Sequence, residues 1–499
     1  MKSNKILIVG GGSAGWMAAA TLINQFPNKD ITVIESPNIP IVGVGESTLG
    51  KINDWLDLLG IKDKDFMPYT DASYKLSIRF EDFYKKNDGG YHYPFGDPIQ
   101  NDRVGNKELW FLKKKLYPET PVTDYANQHF INMAYVNENK FDVNDHVTSA
   151  YHFDATKFGL WLKDHYCIPR GVKHILEDVN TIETNEDGIV SLNNTHSADM
   201  YIDCTGFKSL LLGETLKEHF NDYSNILPNN KAWATRVPYK DKEKELVSYT
   251  NCTAIENGWV WNIPSWERIG TGYVYSDKFV SDEEALNEFK RHLDKKGSDY
   301  SNSNFKNIKM RVGIHDRLFV KNVCAIGLSA GFIEPLESNG LLSVHEFLIN
   351  LIKILRRGDE DTISQWDRDS FNIECKRFFD SFAEFVAMHY ALSHREDTKY
   401  WKDISNKSFL KNTIAQDKDF ELNISAKMNS GLRYRNDSGI HCISTGMRYF
   451  GIDVLAANSN DHDKRQIYFR NDMVKEWNTD TKDKLKLIDY LKKNIHASI

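Results

Sequence analysis

Cysteine is scarce, and none of it is paired at a functional spacing. The six residues, Cys167, Cys204, Cys252, Cys324, Cys375 and Cys442, are scattered and form no CxxC pair. That gives no sign of a zinc site or a disulfide framework, so no metal is expected and a reducing cytoplasm fits. An excess of positive charge is missing too. The formal net charge of −7 argues against nucleic acid as the main partner. No uninterrupted apolar run is long enough to span a bilayer, and the N-terminus enters a strand directly, without the pattern of a cleavable signal. No membrane partner is therefore expected. Internal repeats, low-complexity tracts and obvious linkers are likewise lacking. What remains is an ordinary soluble composition, 41% hydrophobic and 27% charged. At 499 residues the chain is too long for one simple core, so two or more interleaved units are expected. Aromatic residues make up 12%, which is compatible with pockets for flat ligands.

The strongest local signal is at the start. Lys5-Ile6-Leu7-Ile8-Val9 is a compact strand pattern followed by Gly10-Gly11-Gly12-Ser13-Ala14-Gly15 and an alanine-rich helix through Ala18, Ala19 and Ala20. A second apolar run, Ile31 to Ile34, ends at Glu35. Strand, GxGxxG, small-residue helix, strand and terminal carboxylate together form a dinucleotide fingerprint. The glycines permit a tight turn and close approach to a pyrophosphate, and the acidic residue can accept from a ribose hydroxyl. Gly10, Gly12, Gly15 and Glu35 are the residues this picks out. Farther on, Val42, Gly43, Val44 and Gly45 form an apolar, glycine-spaced loop able to lie flat against a ligand.

Tyr74 to Phe80 alternates with period two. On that pattern Lys75, Ser77 and Arg79 share the outer, solvated face of a half-buried strand. Lys85 to Asn106 is rich in Gly, Asp, Asn, Tyr and Pro and reads as a long irregular loop, in which Tyr91, His92, Tyr93 and Phe95 are candidates to line a pocket. Glu186-Asp187-Gly188 marks a hairpin, and Met200 to Gly206 reads as a strand returning to the nucleotide-binding module. In Gly258-Trp259-Val260-Trp261-Asn262-Ile263-Pro264, alternation puts Trp259, Trp261 and Ile263 on one face of a strand that Pro264 ends. Gly270 to Tyr275 reads as its partner.

Val323 to Ile326 is a short buried strand that turns at Gly327, Ser329 and Gly331. Phe332-Ile333-Glu334-Pro335-Leu336-Glu337-Ser338-Asn339-Gly340 follows, and then an apolar helix from Leu341 to Leu355 that stops at Gly358. Ser338 and Asn339 are good N-cap types. Backbone N–H groups near Asn339 and Gly340 precede the helix, a place suited to an anion, with the Glu337 carboxylate beside it.

These segments together resemble the flavin-dependent tryptophan halogenase family. The residues that carry the resemblance are the GxGxxG start, Trp259 to Pro264 in the form WxWxIP, Gly327 to Phe332 with Glu334-Pro335-Leu336-Glu337-Ser338, Val42 to Ser47, Ser73-Tyr74-Lys75, and the run from Arg395 to Trp401. The matches cover roughly the first 400 residues in order. The resemblance implies an α/β fold: an FAD-binding Rossmann-like module of the aromatic-hydroxylase type in residues 1–79, 151–225 and 305–358, a mixed β-sheet substrate region in 80–150 and 226–304, and a mainly helical substrate-binding part in 359–499. It implies FAD, supplied as FADH2 by a transient flavin reductase and held by Gly10, Gly12, Ser13, Ala14, Gly15, Glu35, Val42, Gly43, Gly45 and Leu328. Reduced flavin and oxygen would oxidise chloride, bromide or iodide to hypohalous acid. Asn339 and Gly340 would hold the halide through backbone N–H groups. The oxidant would pass to Lys75 beside an aromatic or heteroaromatic small molecule, with Glu337 orienting it or assisting loss of the ring proton. Trp259, Trp261, Ile263 and Pro264 would wall the passage. Asn339 stands where the family usually has Thr, so bromide or iodide is expected to serve at least as well as chloride. The alternative is a flavin monooxygenase that hydroxylates the ring, against which WxWxIP and Lys75 argue. A homodimer is left open.

Overall fold

The computed structural model describes residues 1–39, 46–99, 106–143, 148–357, 362–405, 437–449 and 461–497. Val42, Gly43, Gly45 and the helix stop expected at Gly358 lie outside the described residues. The elements that position functional side chains are, in chain order, β1 (Lys5–Val9), α1 (Ser13–Gln25), β2 (Asp30–Glu35), β3 (Ser73–Lys75), β4 (Ser77–Glu81), β5 (Gly90–Pro94), β6 (Lys173–Leu176), β7 (Met200–Asp203), β8 (Lys231–Val237), β9 (Tyr249–Ile255), β10 (Gly258–Pro264), β11 (Ile269–Tyr275), β12 (Phe319–Val320), β13 (Val323–Ala325) and α2 (Leu342–Leu355). The chain divides into two compact units. The first is Met1–Ala72, His152–Asn230 and Lys309–Asp380; the second is Ser73–Tyr151, Lys231–Ile308 and Ser381–Ile499.

The first unit is built on a six-stranded sheet of order β12–β13–β7–β1–β2–β6. All its pairings are parallel except β12 with β13. A parallel strand is covered on both faces, which is why β1 is apolar without alternation. Ile6, Leu7, Ile8 and Val9 are all buried, and so are Trp16 to Ala20 on α1. The small residues let α1 approach the sheet closely. The return strand is as expected: Leu7 of β1 registers with Tyr201 of β7. The hairpin is present too, with Ile182–Asn185 antiparallel to Gly188–Leu192.

In the second unit, the order β8–β11–β10–β9–β4–β5 runs through a seven-stranded sheet that mixes parallel and antiparallel pairs. Val260, Tyr273, Tyr275, Phe289 and Leu293 belong to a core cluster between this sheet and the helix Asp282–Lys296. That helix has well-formed ends: the Ser281 hydroxyl accepts from Glu284 N, and Gly297 closes it at φ +70°. The helices Asp437–Gly446, Asp461–Asp480 and Leu487–Asn494 give the C-terminal part its helical character.

Two local readings are corrected. The stretch read as a long loop contains β5, paired antiparallel with β4 so that Phe80 faces Tyr91 and Ile78 faces Tyr93. Its aromatic alternation outweighs the flanking Gly and Pro, because a neighbouring strand supplies the ladder. Lys75 is not on a solvated face: it is fully buried, as is Ser77. The strand breaks at Leu76 into β3 and β4, and β5 pairs beside β4, with His92 Nδ1 2.8 Å from Ser77 Oγ.

Candidate active site

The fingerprint forms an open cradle. Gly10 has φ +112°, and a Cβ there would stand 2.3 Å from the Cys204 carbonyl oxygen, so only glycine fits. Gly15 is just as tight, since a Cβ would meet Gly10 O at 1.9 Å. Gly12 is the opposite case: nothing lies within 4 Å of a Cβ built on it. Gly12 is also the N-cap of α1, which has no side-chain cap and no acidic residue in its first turn. Ser13 Oγ turns away to donate to Ala155 O at 2.8 Å. The first N–H groups of this thirteen-residue helix therefore donate to no acceptor among the described residues. That is the geometry a pyrophosphate needs, with the positive end of the helix dipole behind it. A Cβ on Gly327 would come 2.8 Å from Ala14 Cβ, so the turn Gly327–Ser329, which carries Leu328, closes against the same corner. Glu35 ends β2 with its carboxyl over Gly11. The residues present fit a dinucleotide.

The same unit holds the Glu334-to-Gly340 segment. Glu337 closes a 3-10 turn, Pro335–Glu337, and is fully buried. Ser338 follows in the left-handed region at φ +58°. The expected capping differs from what is found. α2 begins at Leu342, its N-cap is Leu341, and no side chain caps it. Ser338 Oγ instead donates to Ser47 Oγ at 3.1 Å, and Asn339 Nδ2 reaches Ile333 O at 3.4 Å. The tight turn through Ser338 points both side chains away from the helix start. The backbone N–H groups of Asn339 and Gly340 donate to no acceptor among the described residues. His345, in the first turn of α2, is buried, and burial pushes its pKa down to about 3, so it stands neutral there. Sequence reasoning passed over Glu334. It is fully buried, and its Oε2 accepts from Asn229 Nδ2 at 2.6 Å. The available signal was a second carboxylate in an otherwise apolar run.

The second unit holds Lys75 and the tryptophan strand. Lys75 Nζ lies 4.9 Å from the centre of the Phe95 ring, a desolvated cation over an aromatic face. Ser73 Oγ donates to Pro264 O at 2.6 Å, which ties the strand of Lys75 to the end of β10. Trp259 and Trp261 are buried with ring centroids 6.2 Å apart, and Ile263 is buried beyond them. Trp261 registers opposite Gly272 of β11, where a Cβ would meet its ring at 2.2 Å. Lys75, Trp259, Trp261, Ile263 and Pro264 thus belong to the second unit, and the cradle, Glu337, Asn339 and Gly340 to the first.

Residues 5–449 match the family described as tryptophan halogenase. The tryptophan 6-halogenase ThaL of Streptomyces albogriseolus is 33% identical over 421 residues, which covers 80% of this chain and 78% of that one. Among solved structures, the VirX1 apo structure superposes with a TM-score of 0.89 at 37% identity, covering 99% of this chain and 100% of that one. The tryptophan 6-halogenase SttH of Streptomyces toxytricini superposes with a TM-score of 0.86 at 29% identity, covering 98% and 99%. These likenesses favour halogenation over hydroxylation as the fate of the oxidant, and they agree with an α/β fold whose fingerprint is built for a dinucleotide. The chain belongs to the tryptophan halogenase family and is a flavin-dependent halogenase, an oxidoreductase acting on a halide and an aromatic substrate.

Proposed function

We propose that the chain halogenates an electron-rich aromatic or heteroaromatic small molecule, with Lys75 delivering the halogen. Tryptophan, named in the relatives, is one such molecule. The observation that carries this reading is the complete burial of the Lys75 amine beside the Phe95 ring. An ammonium withdrawn from water costs several kcal/mol unless its surroundings use it.

Reduced FAD with dioxygen supplies, when bound, the two-electron oxidation that turns a halide into hypohalous acid. Gly10, Gly12, Ser13, Ala14, Gly15, Glu35 and Leu328 hold that cofactor. The Asn339 and Gly340 N–H groups hold the halide. Two such donors offset part of the anion's dehydration and leave a weak site, suited to a reactant that must depart oxidised. Lys75 binds the hypohalous acid and polarises its oxygen–halogen bond. The ring carbon takes the halogen, the oxygen takes a proton from the Lys75 ammonium and leaves as water, and the ring proton passes to a base, the role given to Glu337. Trp259, Trp261, Ile263 and Pro264 keep the organic substrate from the oxidant's source. A separate flavin reductase in the cytoplasm delivers the reduced cofactor; six buried cysteines that form no disulfide suit that compartment.

The test is turnover with a flavin reductase and equal concentrations of chloride, bromide and iodide over a library of aromatic compounds, read by mass and isotope pattern. Halogenated product is expected from the native chain. The K75M variant is expected to reoxidise reduced flavin at the native rate while making at least about 100-fold less product. Undiminished product from K75M refutes the role of Lys75.

A further inference from the structure

Glu35 has a partner that the fingerprint does not require. His174, on the adjacent edge strand β6, places Nε2 3.0 Å from Glu35 Oε2, and the two side chains are only 18% and 19% exposed. A carboxylate accepts and does not donate, so the hydrogen is on Nε2. The imidazole is itself held in orientation. It sits edge-on to Trp16 of α1, with ring centroids 5.2 Å apart at 73°, and Trp16 is fully buried. The Glu35 carboxyl also lies against the fingerprint turn, where a Cβ on Gly11 would stand 2.1 Å from Glu35 Cδ and 2.3 Å from Oε2. Two more links fasten the end of β2 to residues just beyond β6. Glu177 N donates to Glu35 O at 2.9 Å, and Ser36 Oγ and Asn38 Nδ2 both donate to the Asp178 carboxylate. Glu35 Oε1 has no protein partner among the described residues.

We propose that His174 is a positioning residue for the adenosine half of FAD. It engages one oxygen of Glu35 and so fixes the carboxylate with the other left for a ribose hydroxyl, which donates to it. A glutamate at a strand end is otherwise free to rotate, and ordering it on binding weakens affinity. With His174 in place the carboxylate is ordered before the cofactor arrives. This inference rests on reading the glycine turn as the FAD cradle.

The test is a double-mutant cycle on cofactor affinity, independent of turnover. The chain free of cofactor is titrated with FAD by flavin fluorescence, and its thermal unfolding is recorded in parallel. H174F removes the N–H and keeps a ring against Trp16; it is expected to weaken FAD binding about tenfold with little change in thermal midpoint. H174Q, which restores a donor of similar reach, is expected to recover most of that loss. In an E35Q background, H174F is expected to change affinity less than about twofold, because the group it acts through is altered. Should H174F fail to fold, H174L is measured in its place. An unchanged affinity in H174F, an equal loss in the E35Q background, or no recovery in H174Q overturns the role of His174. Failure of the native chain to bind FAD overturns the cradle reading itself.

Discussion

Gly10 and Gly12 are two residues apart and answer to different demands. Gly10 is held at φ +112° against the Cys204 carbonyl, so its lack of a side chain serves the fold. Gly12 has ordinary dihedrals and empty space in front of it, so its lack of a side chain serves whatever comes to the helix end. The two alanine variants should therefore separate. G10A is expected to lose about 2–4 kcal/mol of stability, from left-handed strain plus a backbone overlap. G12A is expected to lose only about 1 kcal/mol of stability, the cost of alanine as a poorer N-cap than glycine, and yet to bind FAD at least about tenfold more weakly, because its methyl stands where a phosphate must approach. Thermal unfolding and FAD titration of both variants check this. Equal stability of the two would contradict the geometry.

At the level of elements, the short strand β3 matters for what it is fastened to. Three residues cannot hold a lysine still by their own ladder. The Ser73 hydroxyl bond to Pro264 O joins β3 to the end of β10, so the strand carrying the amine and the strand carrying the two indoles move together. S73A leaves a buried acceptor with one donor fewer, at a cost of about 1–2 kcal/mol. We expect that loss in chemical denaturation, together with less halogenated product per flavin oxidised and unchanged FAD affinity, because the cradle belongs to the other unit. A variant with native product yield would show that β3 is held by other means.

For the molecule as a whole, acid should be the weak point. Burial holds His129 and His345 at about 3 and His292 at about 4, against an ordinary value near 6.5. Above pH 6.5 these groups are neutral folded and unfolded alike and contribute no pH dependence. Below it the unfolded chain takes up protons that the fold refuses, so stability falls as pH falls, and the loss is complete only below the folded values near 3 to 4. Each such histidine steepens the slope by at most about 1.4 kcal/mol per pH unit, so the three together reach about 4. Glu288 and Glu346 oppose this, since burial raises both of them. Thermal unfolding followed from pH 7.5 to pH 5 should show a midpoint that holds level to about pH 6.5 and falls below it, and H345N should shallow that lower slope by about one proton. A midpoint independent of pH in that window would count against neutral buried histidines.

Much of this was legible before the structure, wherever the signal is contiguous. The fingerprint, the hairpin at Glu186 to Gly188, the return strand ending at Asp203, and the paired strands β10 and β11 are each set by runs of neighbouring residues, whose periodicity and turn chemistry act locally. The burial of Lys75 was not legible. Local alternation placed it in water, whereas the fold buries it and sets the ring of Phe95, twenty positions along, against its amine. Nor was the bond between Glu35 and His174, which are 139 positions apart, or the pairing of Glu334 with Asn229. Backbone preference is a property of adjacent residues, but desolvation and side-chain hydrogen bonding depend on which distant segment arrives, and that is settled only when the sheets assemble.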